Sequence, residues 1–234
     1  MKLYGVGVGP GDSKDVTVGV VEILKSSPVI FVPVKKPGVE SAAYKIAKEY
    51  IKDSEIVELV FPMNYNKEKL EKHWKENSKI IENKLKEKKT GTIITIGDIS
   101  LYSTAMYIEE ILKDKDIEIV LKPGITSYSK IASILGIPLA KWEEGFAVVP
   151  ASRDSSFNLE NILKSFENVV VMKPSHNPEE IISTLKKNNL QNCFKLVVKA
   201  GTEEEIIVDN LEELKKGIPY LSTMIIKRGN YMKL

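Results

Sequence analysis

Apolar and polar residues alternate along this chain in two periods. Residues 2–8 form a short apolar run of strand type, and residues 15–26 place Val16, Val20, Ile23 and Leu24 on one side of a helix. Further strands are predicted over 28–34, 56–60, 92–96 and 117–121, with helices over 41–51, over 67–88 and from about Tyr102. In the 67–88 segment Leu70, Trp74, Ile81 and Leu85 make a thin apolar stripe, and the lysines and glutamates between them read as a solvated face. Strands separated by helices predict a mainly parallel α/β sheet covered on both sides.

"LKPGIT" at 121–126 interrupts the pattern with Pro and Gly and marks the expected boundary between an N-terminal α/β domain, 1–121, and a C-terminal α/β domain, 122–234. Beyond it the reading is helix 127–135, strand 145–149, helix 159–165, strand 168–172 and helix 178–188. Two strands, 194–199 and 205–208, are then joined by a hairpin turn at "AGTEE". A short helix and a strand over 220–226 follow, so this half is expected to hold a mixed sheet.

Composition narrows the function classes. The 234 residues are 43% hydrophobic and 28% charged, which allows a sizeable core. A formal net charge of +2, with both signs interspersed, gives no basic stripe of the kind nucleic acid requires. Cys193 is the only cysteine, which excludes an internal disulfide and fits a reducing compartment. His73 and His176 stand apart from any metal-ligand cluster, so no protein-built metal site is expected. No apolar run reaches the length of a membrane span, and residues 1–8 do not resemble a signal peptide; a cytoplasmic protein is expected.

The candidate chemistry lies in two turns. "GVGVGPGD" at 5–12 follows the first strand. A Walker loop would need lysine and a hydroxyl after its last glycine, yet Asp12 stands there and would repel phosphate. The dinucleotide spacing G-x-G-x-x-G also fails, reaching Pro10 from Gly5 and Asp12 from Gly7. What remains is a turn that brings backbone close to a neutral or cationic ligand, Gly9 and Gly11 supplying freedom and Pro10 stiffness. Asp12 could cap the next helix or act chemically. "TIGDISLYST" at 95–104 repeats the logic after the fourth strand. In an open α/β sheet both turns would face one crevice beyond the strands' carboxyl ends.

In these motifs the chain resembles the S-adenosylmethionine-dependent tetrapyrrole methyltransferases of corrin and siroheme synthesis. "GVGVGPGD", "GDISLYST", "PGITSYSKIAS", "VVVMKPS" and "VVKAGTEEE" carry the resemblance over nearly the whole length. "LYGVGVGPGD", "FVPVKK", "FPM" at 61–63 and "SLYST" are most similar to the branch that methylates C20 of cobalt-factor II (cobalt-precorrin-2) or metal-free precorrin-2 on the way to cobalamin. Ser13 and Ile99 depart from the family, which commonly has proline there; Ile99 thereby keeps a backbone donor.

The resemblance implies a two-domain fold, each domain a sheet flanked by helices, and a homodimer. It implies S-adenosyl-L-methionine as methyl donor, folded into the cleft between the domains. Its contacts would fall on Pro10, on Gly97, Asp98 and Ile99, on Tyr102, on Thr126 and Ser127, on Met172, near Gly201, and on Thr223. Asp12, Asp98 and Tyr102 are the candidates for removing the C20 proton, with water as the alternative. The substrate's carboxylates suggest basic contacts from Lys35, Lys36 or Arg153, and its flat ring an apolar wall of Phe61, Pro62 and Met63. His73 could meet a cobalt carried by the substrate or simply face solvent. Methylation at another ring position or of a non-tetrapyrrole acceptor, and a non-catalytic cofactor-binding protein, remain the other readings.

Overall fold

The computed structural model describes residues 1–62, 67–152 and 157–229. The chain divides into two compact units, Met1–Thr126 and Ser127–Leu234. The division falls later than the expected one after Leu121 because the fifth strand runs on to Lys122, which pairs with Val6.

The first unit holds β1 (Lys2–Gly7), β2 (Val29–Val34), β3 (Glu55–Val60), β4 (Thr90–Thr95) and β5 (Glu118–Lys122). All four strand pairs are parallel, in the order β3-β2-β4-β1-β5. The period-2 pattern sorts the side chains. Val6, Ile30, Val32 and Ile94 pack on one face with residues of α1 (Val18–Ser26) and α2 (Ala42–Ala47). Leu3, Val29, Phe31 and Ile93 pack on the other with α3 (Lys67–Lys88) and α4 (Ala105–Leu112). The chain therefore leaves β1 on one face toward β2 and leaves β4 on the opposite face toward β5. The adjacent carboxyl ends of β1 and β4 are the topological switch point, where such sheets open a crevice.

The second unit contains α5 (Ser127–Ile134), β6 (Phe146–Pro150), α6 (Leu159–Ser165), β7 (Asn168–Met172), α7 (Pro178–Lys187), β8 (Phe194–Val198), β9 (Ile206–Val208), α8 (Leu211–Lys215) and β10 (Ser222–Lys227). Its sheet has the order β6-β7-β10-β8-β9 and is mixed: β6 and β7 are parallel, and β10 runs antiparallel to both β7 and β8. The expected β8–β9 hairpin is present. Asn158, Asn177 and Asn210 cap α6, α7 and α8 through their side-chain oxygens. One sheet face packs against these three helices, the other against α5. The fully buried Lys227 sits among oxygens, donating to Leu139 O and Asn168 Oδ1 with Glu144 3.8 Å away.

Two helix starts differ from expectation. Residues Ser13–Asp15 form a 3-10 turn, so α1 begins at Val18 with Thr17 at its N-cap. The helix expected from Tyr102 begins at Ala105, because Tyr102 has φ 52° and cannot belong to a right-handed helix.

Candidate functional site: the carboxyl rims of the two sheets

In the first unit the two glycine turns bond to each other. Past β1, the Val8 N–H donates to Thr95 O at 2.9 Å. Gly9 N–H then donates to Gly97 O at 3.2 Å, and Gly97 N–H returns to Gly9 O at 2.8 Å. Both glycines have positive φ, 78° and 70°, which a side chain would make costly. Gly11 does not share that conformation. A Cβ on Gly97 would meet nothing nearer than Ile125 O at 4.0 Å, so the outer side of this bridge is open.

A third glycine completes the rim. A Cβ on Gly124 would lie 2.6 Å from the Gly7 carbonyl and closer still to Gly97 O. The segment after β5 therefore touches the end of β1 and the turn after β4 backbone to backbone. Asp98 fixes this arrangement: Oδ2 accepts the Gly124 N–H at 2.9 Å, and Oδ1 accepts both the Ser100 N–H at 2.9 Å and the Ser100 hydroxyl. Burial pushes the Asp98 carboxyl up, but the bonds from Ser100, Gly124 and the Ile99 N–H outweigh it and hold the group below its ordinary value. The N–H that Ile99 keeps, and proline would lack, lies beside the Asp98 carboxyl and favours its ionised form. The Ile99 side chain is buried in the core, which leaves its backbone to the rim.

The other expected residues of this unit fall around that core. Pro10 is half-buried between Gly9 and Gly11. Asp12 accepts the Lys14 N–H at 2.9 Å and caps the 3-10 turn. Tyr102 is exposed in the loop between β4 and α4, and Thr126 is half-buried. Ser103 bridges from Thr95 Oγ1, at 3.2 Å, to the Ala105 N–H at the start of α4. Lys35 and Lys36 are exposed beyond β2, whereas Phe61 and Pro62 are half-buried and Phe61 packs on the core. His73 lies beside Glu76, 3.5 Å away on α3. Met63 and Arg153 lie outside the described residues.

In the second unit Ser127, Met172 and Thr223 come together. Ser127 Oγ is 3.1 Å from Thr223 Oγ1 and 3.7 Å from Met172 Sδ, and Thr223 Oγ1 is 3.9 Å from the same sulfur. Thr223 faces Met172 in register across β7 and β10. Gly201, with φ 78°, lies in the turn after β8, where its N–H donates to Glu205 at 2.7 Å.

The rim of the first unit presents backbone groups and hydroxyls together with the ionised Asp98 carboxylate, a set that suits a cation better than a phosphate. The cluster in the second unit presents two hydroxyls and a thioether.

A profile of the family described as Tetrapyrrole (Corrin/Porphyrin) Methylases matches residues 2–215. The chain is a tetrapyrrole methylase. Over 230 residues this methylase is 40% identical to the probable cobalt-precorrin-2 C(20)-methyltransferase of Methanocaldococcus jannaschii, covering 97% of this chain and 96% of that protein. Its fold matches the crystal structure of the cobalt precorrin-4 methyltransferase CbiF with a TM-score of 0.76, at 19% identity over 97% of this chain and 94% of that one. It also matches uroporphyrin-III C-methyltransferase from Thermus thermophilus, solved with S-adenosyl homocysteine. There the TM-score is 0.71 at 20% identity, covering 97% and 92%.

Two residues of the first rim carry no signal of their role in the sequence. Gly7 and Gly124 matter through close approach of segments far apart in the chain, and no local motif announces such a contact. Ser100 was visible in "GDISLYST", but its bonds to Asp98 depend on how the loop closes.

Proposed function

We propose that this methylase transfers a methyl group from S-adenosyl-L-methionine to C20 of cobalt-precorrin-2, and that it works as a cytoplasmic homodimer in cobalamin synthesis. The observation that carries the reading is the reciprocal Gly9–Gly97 bridge at the switch point, in a chain of this family. The choice of C20 and of the cobalt substrate rests on the likeness to the Methanocaldococcus protein. The homodimer rests on the resemblance alone.

The donor supplies, when bound, an electrophilic methyl group on a sulfonium. The residues of this chain have to hold and align it. The backbone of Pro10 and Gly97–Ile99, with Tyr102 and Thr126, would grip it from the first rim. Ser127, Met172, the Gly201 turn and Thr223 would do so from the second. Alignment of this kind is worth at most about 7–11 kcal/mol. Asp98 serves as a fixed counter-charge for the cation. Its oxygens are occupied and its basicity is lowered, so it is a poor proton acceptor. Asp12 is engaged as a cap. The C20 proton therefore leaves to water, with Tyr102 the remaining side chain at that rim.

The test is incubation with methyl-labelled donor and, in parallel, cobalt-precorrin-2 and metal-free precorrin-2, followed by locating the label. Label at C20 of the cobalt substrate is expected. Label at another carbon overturns the position, and faster reaction of the metal-free compound overturns the substrate. Sedimentation equilibrium of the protein reads the dimer directly.

A further inference from the structure

The turn Gly9–Asp12 is held at its entry by the bridge to Gly97, and its exit is held by a different part of the chain. After Asp12 comes the 3-10 turn Ser13–Asp15, closed from the Asp15 N–H to Asp12 O and from the Val16 N–H to Ser13 O, each at 3.0 Å. The Ser13 carbonyl accepts a second bond, from the Tyr50 hydroxyl at 3.1 Å. Tyr50 ends the 3-10 turn Lys48–Tyr50 that follows α2, and its ring packs on the core cluster of Val8, Val16 and Val20. Glu49 joins the contact. The Ser13 hydroxyl lies beside its carboxyl and, with the Tyr50 hydroxyl, holds that group below the ordinary carboxylate value.

This contact bears on Gly9 directly. A Cβ on Gly9 would lie 3.3 Å from both the Cβ and the carbonyl oxygen of Asp15, so the Ser13–Asp15 turn folds back against the glycine that bonds Gly97. The place of that turn thus governs how Gly9, Pro10 and Gly11 are offered at the rim. A hydrogen bond that only stabilised the fold could join any two loops, whereas this one closes on the turn whose backbone would grip the donor.

We infer that Tyr50 is a positioning residue for the donor-binding turn, acting on Gly9–Asp12 through the Ser13 carbonyl; the inference rests on the proposed function, which gives that turn its ligand. With the bond in place the turn is ordered before the donor arrives. Without it the competent arrangement is one part of a wider ensemble, and apparent affinity falls by that fraction.

Full-length protein is titrated with S-adenosylhomocysteine by calorimetry. Tyr50→Phe keeps the ring on the core and removes the hydroxyl. Its affinity is expected to fall about 3- to 10-fold, the worth of one hydrogen bond, with a melting temperature lower by at most about 4 °C. Tyr44→Phe, the same change on α2 against the same core cluster, should leave affinity within about twofold. Ser13→Pro supplies the repair. Asp12 is extended (φ −90°, ψ 130°), as a residue before proline should be, and position 13 opens a helical turn, where proline fits. Added to Tyr50→Phe, it stiffens the turn without the hydroxyl and should return affinity to within about twofold of the parent. Hydrogen exchange of the ligand-free protein reads the turn independently. Residues 11–16 should exchange about 3- to 10-fold faster in Tyr50→Phe, the Lys14 N–H among them, since it bonds Asp12 within the turn.

Unchanged affinity in Tyr50→Phe overturns the assignment, because the bond would then serve stability alone. An affinity loss without faster exchange at 11–16, or one that Ser13→Pro leaves unrepaired in a folded double variant, overturns it as well. Should the double variant not fold, the exchange rates decide. A parent that binds no S-adenosylhomocysteine overturns the assignment and the proposed function together. A parent that shows the whole pattern but does not methylate cobalt-precorrin-2 counts against the proposed function and not against Tyr50.

Discussion

At the scale of single residues, Asp98 is a motif acid with a structural part in its loop. Its two oxygens join the loop after β4 to Gly124, and the donors around it outweigh the penalty of burial. A carboxyl held below its ordinary value of 3.8 contributes stability that is complete above that value and is lost as pH falls through the folded-state value. Asp98→Asn should therefore lower stability near neutral pH by about 1–3 kcal/mol, since an amide cannot accept at both positions. Thermal melts of both proteins across pH should show a constant gap at neutral pH that narrows below about pH 4. A gap that persists unchanged into acid would show that the charge plays no part. The sequence displayed Asp98 and the spare donor of Ile99 side by side. It did not show that Asp98 accepts from Ser100 and Gly124, because that depends on the closure of one loop.

At the scale of elements, the rim is a three-way backbone contact that ties β1, β4 and β5 together. Gly124→Ala would drive a methyl group into the Gly7 and Gly97 carbonyls, and backbone on both sides cannot rotate away. The expected cost is about 3 kcal/mol, near the upper end for overpacking, or roughly 6–12 °C of melting temperature at this chain length. Gly19→Ala is the matching control. Gly19 lies inside α1 with nothing within 4 Å of an added Cβ, so that change should stabilise by up to about 1 kcal/mol. Opposite signs in the two melts check the argument. This contrast also marks what could be read from the chain. The long amphipathic α3, the apolar runs of β2 and β7 and the β8–β9 hairpin follow from local periodicity. The start of α4 does not, because Tyr102 takes a left-handed conformation that its side chain type disfavours. Nor does the role of Gly124, because its partners are more than twenty residues away and only the assembled sheet brings them close.

At the scale of the whole molecule, the ligand set makes a claim that no single substitution reaches. Seven of the ten positions assigned to the donor — Pro10, Gly97, Ile99, Thr126, Ser127, Gly201 and Thr223 — offer small side chains, a hydroxyl or backbone alone, so replacing them one at a time will perturb folding as readily as binding. Binding itself is the cleaner probe. S-adenosylhomocysteine at a hundred times its Kd should stabilise the native state by about 2.7 kcal/mol and raise the melting temperature by roughly 5–10 °C. Hydrogen exchange under the same conditions should slow at residues 9–12, 97–102, 126–127, 172–173, 201–202 and 223, where donor contacts or the bonds that order their loops are expected. The solvated face of α3 supplies the contrast, since its many lysines and glutamates belong to no proposed contact and its exchange should stay unchanged. Protection confined to the first rim would leave Ser127, Met172 and Thr223 as a packing cluster of hydroxyls and sulfur, and the donor would then have to be held by the glycine bridge and its loops alone.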